Sequence, residues 1–145
     1  MSTPSQRKKA RHLLVQALYQ WHMSGSSLVD IEAEFHTDHD MKKLDGDYFR
    51  EILHGVAKQA DTIEATYKPH LDRAENELDP VARAVLQLSC YEMLYRIDVP
   101  YKVVINEAVS LAKKFGATDS YKYINGVMDK VAADKRAAEV QAARG

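Results

Sequence analysis

Read as a helix, the segment from Val81 to Tyr95 has almost no side that could face water. Apolar residues lie all round its wheel rather than along one stripe, so neighbouring helices must pack against it on every side. Its start is also the clearest in the chain. Asp79 is an N-cap candidate, and Pro80 fits the first helical position, where a missing N–H costs nothing. A chain built around this segment has to provide several further helices.

It does so almost throughout. No run of alternating β-branched residues is bounded by hairpin turns, whereas apolar residues recur at helical spacing. The first helix is predicted from about Pro4 to Met23, with Ala10, Leu14, Ala17, Leu18 and Trp21 on one face, and Ser24-Gly25-Ser26-Ser27 stops it. A short helix over Leu28 to His36 uses Ile31 and Phe35, and the polar stretch Thr37 to Gly46 reads as a loop. Asp45 or Asp47 caps a longer helix that runs through Tyr67 and is ended by Pro69. After Asp98-Val99-Pro100 another helix carries Val104, Ala108, Leu111 and Phe115, with Gly116 as a left-handed terminator. Thr118-Asp119-Ser120 caps a last helix that buries Ile124, Val127, Met128 and Val131. Beyond Ala133 no apolar stripe remains, and residues 133–145 read as a fraying tail. The predicted class is all-α, a compact bundle of about six to seven helices in a single domain over residues 1–145.

A chain of 145 residues that is 46% hydrophobic and 28% charged can bury a sizeable core without disulfides or metal. The single Cys90 sits in an apolar run and reads as a buried thiol in a reducing compartment, not as a nucleophile, which would want cations beside it. No apolar stretch is long enough to span a bilayer and no signal-peptide hydrophobic region is present, so the expected location is cytoplasmic.

The net charge of −1 hides an uneven distribution. Residues 1–29 contain no Asp or Glu and carry Arg7, Lys8, Lys9 and Arg11, a charge of +4. Residues 30–79 carry 14 acids and 6 bases, a charge of −8, and residues 80–145 carry 7 acids and 10 bases, a charge of +3. Such a chain can offer a basic face to a polyanion and an acidic face elsewhere.

On the wheel of the first helix, Lys8, His12, Val15 and Tyr19 form a stripe roughly opposite the core stripe, with Arg7 and Arg11 on one flank. Cations that neutralise phosphates beside an aromatic that stacks on an unpaired base suit single-stranded RNA. The same residues also fit a solvated face with Tyr19 packed on another helix. Lys113-Lys114 and Lys122 form a second basic group, although cations in a last helical turn are favoured by the macrodipole in any case. Tyr123 lies off the buried face of the last helix, open to stacking or to packing.

His36-Thr37-Asp38-His39-Asp40 contains metal-ligating side chains, but it is a polar loop with no distant ligand, and no metal is expected there. Phosphate loops, nucleophile elbows and His-Glu-x-x-His are missing, and Glu51, Glu92 and Glu107 sit singly on helices. No catalytic residue and no cofactor are predicted.

Several stretches together resemble the NusB family. They are Arg7-Lys8-Lys9-Ala10-Arg11 with Val15-Gln16-Ala17-Leu18-Tyr19-Gln20-Trp21, and Asp47-Tyr48-Phe49-Arg50 with Leu53-His54-Gly55-Val56. The most specific is Asp98-Val99-Pro100-Tyr101-Lys102-Val103-Val104-Ile105-Asn106-Glu107-Ala108. It is followed by Leu111-Ala112-Lys113-Lys114-Phe115-Gly116-Ala117 and by Tyr123-Ile124-Asn125-Gly126-Val127-Met128-Asp129-Lys130. The resemblance implies a bundle of two helical sub-bundles and a non-catalytic RNA-binding role in transcription antitermination. The RNA would be the boxA element of ribosomal RNA leaders, bound jointly with the ribosomal small-subunit protein NusE to help RNA polymerase pass terminators. By motif match it assigns RNA contacts to Arg7, Lys8, Arg11 and Tyr19 and to Asp119, Lys122 and Tyr123.

Two positions depart from the family pattern. Ala82 stands where an acid is usual, which removes a carboxylate that could bond RNA or a partner, and Tyr123 stands for the usual Phe. The rival readings are a protein-interaction module or homodimeric adaptor without RNA, and a small helical enzyme. The RNA reading requires the α-helical cations and the Tyr19 phenol to share one open, water-facing side.

Overall fold

The computed structural model describes residues 2–145. Among them are eight α-helices and no strand: α1 (Pro4–Ser24), α2 (Leu28–Asp38), α3 (Gly46–Lys58), α4 (Ala60–Tyr67), α5 (Pro80–Tyr95), α6 (Tyr101–Phe115), α7 (Ser120–Lys135) and α8 (Ala137–Arg144). Short 3-10 turns at Met41–Lys43, Lys68–His70 and Glu75–Glu77 punctuate the connections. The all-α class is as expected, with one helix more than the upper count.

The segment apolar on all sides is the central helix. α5 packs against α1, α3, α4, α6 and α7 and is buried almost continuously from Ala82 to Met93, Arg83 being the half-buried exception. Asp79 caps its start by accepting from the Val81 N–H at 3.3 Å, with Pro80 in the first turn. Gly55 of α3 faces Tyr91 so closely that any Cβ there would enter the phenol ring. α3 therefore rests on α5 backbone-close.

Three expectations need correction. The helix expected to run from Asp45 or Asp47 to Tyr67 is two helices. Asp45 caps the first by accepting from the Tyr48 N–H at 3.0 Å, and the chain bends at Gln59, whose φ of −107° and ψ of 25° leave the helical region. The bend turns Ile63, Thr66 and Tyr67 of α4 inward. Neither Gly nor Pro marks it, so tertiary packing overrides local propensity here. Gly116 is not a left-handed terminator either, since its φ is −91°. It is needed for space, because a Cβ would come within 2.6 Å of the Ser120 hydroxyl and 2.7 Å of the Ala112 carbonyl oxygen. The left-handed residue is Asp119, with φ of 67°.

The third correction concerns the tail. Residues 133–145 complete α7 and form α8, docked through buried Val140 and Arg136. The Arg136 guanidinium donates to the carbonyls of Met93 (2.8 Å), Val99 (3.1 Å), Glu92 (3.2 Å) and Arg96 (3.1 Å). It thereby caps the C-terminal end of α5, where carbonyls lack helical partners and the dipole is negative. Glu139 pairs with Arg136 at 2.6 Å and accepts from the Tyr101 N–H at 2.8 Å, so the same pair caps α6. Charge-to-backbone bonds hold this segment where an apolar stripe was sought.

Arg136→Met should therefore destabilise the whole bundle by about 2–4 kcal/mol, through several orphaned carbonyls, although it lies just past the end of α7. Chemical denaturation of the variant checks this, and a loss confined to local fraying of 137–144 with the global midpoint unchanged would refute it.

Candidate nucleic-acid interface

A capping box starts α1. The Thr3 hydroxyl accepts from the Gln6 N–H at 3.1 Å, and Gln6 Oε1 accepts from the Thr3 N–H at 2.9 Å. The charges of the next turns oppose the usual pattern. The first turn has no acid, and Arg7, Lys8, Lys9 and Arg11 come directly after it. Cations at a helix N-terminus work against its positive pole. A local mismatch of this kind is expected at a functional site, and the fold resolves it by sending the four cations in two directions.

Arg11 turns inward. It is 4% exposed, and its Nε donates to Glu92 Oε1 and Oε2 at 3.1 and 3.2 Å while Nη2 donates to Oε2 at 2.9 Å. The Tyr48 hydroxyl donates to the same carboxylate, and Glu107 lies 3.9 Å from Arg11 Nη1. Burial works against the Arg11 charge, but the bonds and charge of Glu92 outweigh it and raise the guanidinium above its ordinary pKa. Burial, then Glu92, pushes the Tyr48 phenol far upward. Arg7 is half-buried, its guanidinium 4.2 Å from the Tyr48 ring centre and 3.7 Å from Asp45. Of the cations expected at a phosphate, Arg11 is the one that the structure places inside, where its donors belong to Glu92.

Lys8 and Lys9 turn outward and are exposed. Between α1 and the end of α6, the His12 ring meets Phe115 edge-on at 5.7 Å. Burial, then the charges of Lys114 and Lys8, hold the His12 imidazole below its ordinary pKa, so this seam is already positive. Lys114 lies 5.7 Å from the Phe115 ring centre, and Lys113 lies 4.7 Å from that of Tyr121 at the start of α7. Further along α1, Tyr19 is 39% exposed. It lines a groove of about 580 Å³ with Val15, Gln16, Met23, Val81 and Phe115. The stripe opposite the core face is therefore open at Lys8 and Tyr19, half-open at His12 and closed at Val15.

The start of α7 adds Asp119 and Lys122, both exposed and 3.7 Å apart. Asp119 makes no side-chain cap, and a left-handed non-glycine residue is a strained choice that Asp tolerates better than most. Tyr123 points elsewhere. Arg73 stacks 4.2 Å over its ring, and its hydroxyl accepts from the Asp72 N–H at 3.3 Å. The ring of α7 that lies beside lysines is Tyr121, a position the family motif does not name. Its signal in the sequence was its place between Lys113-Lys114 and Lys122. Ala82 is buried, so the departure from the family pattern sits against the core.

The single thiol is engaged in the core. Cys90 is fully buried, 4.0 Å from the Met128 sulfur, and burial raises its thiol pKa well above the ordinary value. Among the described residues no three His, Cys, Asp or Glu side chains are grouped to hold a metal ion. No helix among them is long and apolar enough to cross a membrane.

Comparison with known proteins bears on this surface. The model of the NusB family matches residues 8–133. The transcription antitermination protein NusB of Saccharophagus degradans is 62% identical over 139 residues, covering 95% of this chain and 93% of that protein. NusB of Teredinibacter turnerae is 57% identical, covering 98% of this chain and 97% of its own length. A solved structure of T. maritima NusB is 28% identical, covers 97% of this chain and 99% of that one, and superimposes with a TM-score of 0.80.

Removing one partner of a buried ion pair strands the other, at about 3–5 kcal/mol. Arg11→Ala should therefore lower unfolding stability by that amount. Equilibrium denaturation reads it, and a fully stable Arg11→Ala protein would show that the guanidinium is not structural.

Proposed function

This chain belongs to the NusB family of transcription antitermination proteins, and from that premise we propose that it binds boxA RNA of ribosomal leaders together with NusE, as an adaptor rather than an enzyme. The observation that carries this reading is the seam between α1 and α6. There His12 and Lys114 flank Phe115, Lys8 acts on His12, and Tyr19 lies open at the neighbouring groove. Lysines on such a surface neutralise phosphates and release counterions, which supplies affinity and steers encounter. Tyr19 offers a ring to an unstacked base, and such a contact tolerates sequence, so specificity is shared with the partner protein. Arg7 contributes along its exposed edge, and Lys122, Asp119 and Tyr121 extend the surface to α7. Tyr123 contributes less, since Arg73 already covers one face of its ring.

The adaptor reading is supported by where the reactive groups went: Glu92 is held by Arg11 and Tyr48, and Cys90 is sealed in the core. A protein partner is supported by Ile97, Tyr95 and Val103, which are 76%, 40% and 38% exposed around the α5–α6 connection. Apolar side chains of this size are more usual under an interface.

Lys8→Ala should weaken boxA binding and reduce the log–log salt slope by roughly 0.7–0.9. Tyr19→Ala should weaken it by about 1–3 kcal/mol with helicity unchanged. Anisotropy titrations against boxA and a scrambled RNA, each with and without NusE, test both. Unchanged affinity and slope in the two variants would remove α1 from RNA binding.

A further inference from the structure

The basic surface of α1 does not stop at His12. Beside the seam, a pocket of about 260 Å³ is lined by Lys9 and His12, by Leu13 and Leu44, and by His39, Asp40 and Lys43. The segment beyond α2 that supplies the last group is anchored. The Asp45 N–H donates to the Gln6 carbonyl at 3.1 Å, the Asp40 carboxylate accepts from the Lys42 N–H at 3.0 Å, and the His39 ring stacks on Phe35 at 5.4 Å. Lys9 and Lys43 therefore reach the pocket from two separate elements, α1 and this anchored turn. Two lysines against one aspartate leave the pocket positive even with both imidazoles neutral, and Asp40 is already committed to its turn.

We propose that this pocket binds a backbone phosphate of RNA, so that the bound strand continues over α1 from the Lys8–Lys114 seam to the Met41–Lys43 turn. The inference rests on the RNA-binding reading above and deepens it. A phosphodiester suits the site, being a single negative charge with several acceptor oxygens, which Lys9, Lys43 and the two imidazoles can meet from different sides. His12 belongs to both surfaces and links them. The groups facing it are Lys8 and Lys9 on α1, Lys114 and Glu107 on α6, and His39, Asp40 and Lys43 across the pocket. In the free protein burial and the two lysines of the seam disfavour its proton, and an arriving phosphate offsets those cations. Binding is therefore expected to take up a proton and to strengthen as pH falls from about 8 to about 6, through the ordinary histidine range.

The test compares a short boxA RNA with the same RNA lengthened by several nucleotides at both ends, using Lys43→Ala, His39→Gln and Lys8→Ala proteins over a range of salt. The expected result is that Lys43→Ala binds the lengthened RNA several-fold more weakly, with a salt slope smaller by roughly 0.7–0.9, and binds the short RNA like the parent. His39→Gln should likewise weaken the lengthened RNA and leave the short RNA bound like the parent. If Lys8→Ala weakens both RNAs while Lys43→Ala and His39→Gln match the parent on both, the pocket is not on the strand's path and the proposal is overturned with the α1 seam intact. If Lys8→Ala also changes neither, the RNA-binding reading itself fails and the pocket falls with it.

Discussion

The buried Arg11–Glu92 pair fixes how α1 is rolled on the bundle. Arg11 comes from α1, Glu92 from the central helix and Tyr48 from α3, so one carboxylate joins three helices. A charge in such a place is tolerated only with close, multiple hydrogen bonds, and the two-pronged contact of guanidinium and Tyr48 hydroxyl supplies them. Rolling α1 by one residue would strand both charges. The pair therefore decides which residues of α1 face water, and the position of Lys8 and Tyr19 is set by it.

The outer face is assembled from helix ends with opposite electrostatic characters. At the start of α1 the lysines add to a pole that is already positive, which is unfavourable for the isolated helix. At the end of α6 Lys113 and Lys114 sit where the dipole favours them. Bringing the two ends together concentrates positive charge around His12 and Phe115, with α7 adding Lys122. An anion bound there relieves the mismatch at α1 without disturbing α6. The acidic stretch of residues 30–79 keeps the protein near neutrality while the charge remains local.

Much of this was legible in the sequence. The apolar circumference of α5 predicted the central helix, and Asp79-Pro80 and Ser24-Gly25 marked boundaries that the structure keeps. The features that stayed hidden depended on partners far along the chain. Glu92 lies 81 positions from Arg11, so a wheel that assigns charges to the solvent side could not place that guanidinium inside. Arg136 likewise holds α8 through carbonyls 37 to 44 residues away, with bonds that leave no apolar stripe. The bend at Gln59 and the left-handed Asp119 come without the Gly or Pro that would have announced them. Tyr121 was passed over because a motif match carries only the positions that the motif names.

If RNA meets the outward side of α1 while the inward cations stay with the fold, side-chain NMR of the protein titrated with boxA RNA reads both at once. The rings of Tyr19, His12 and Phe115 should shift, with the Arg11 Nε–H signal unmoved at its bond to Glu92. Shifts at Arg11 and Tyr48, with the Tyr19 and His12 rings silent, would contradict this division of the helix.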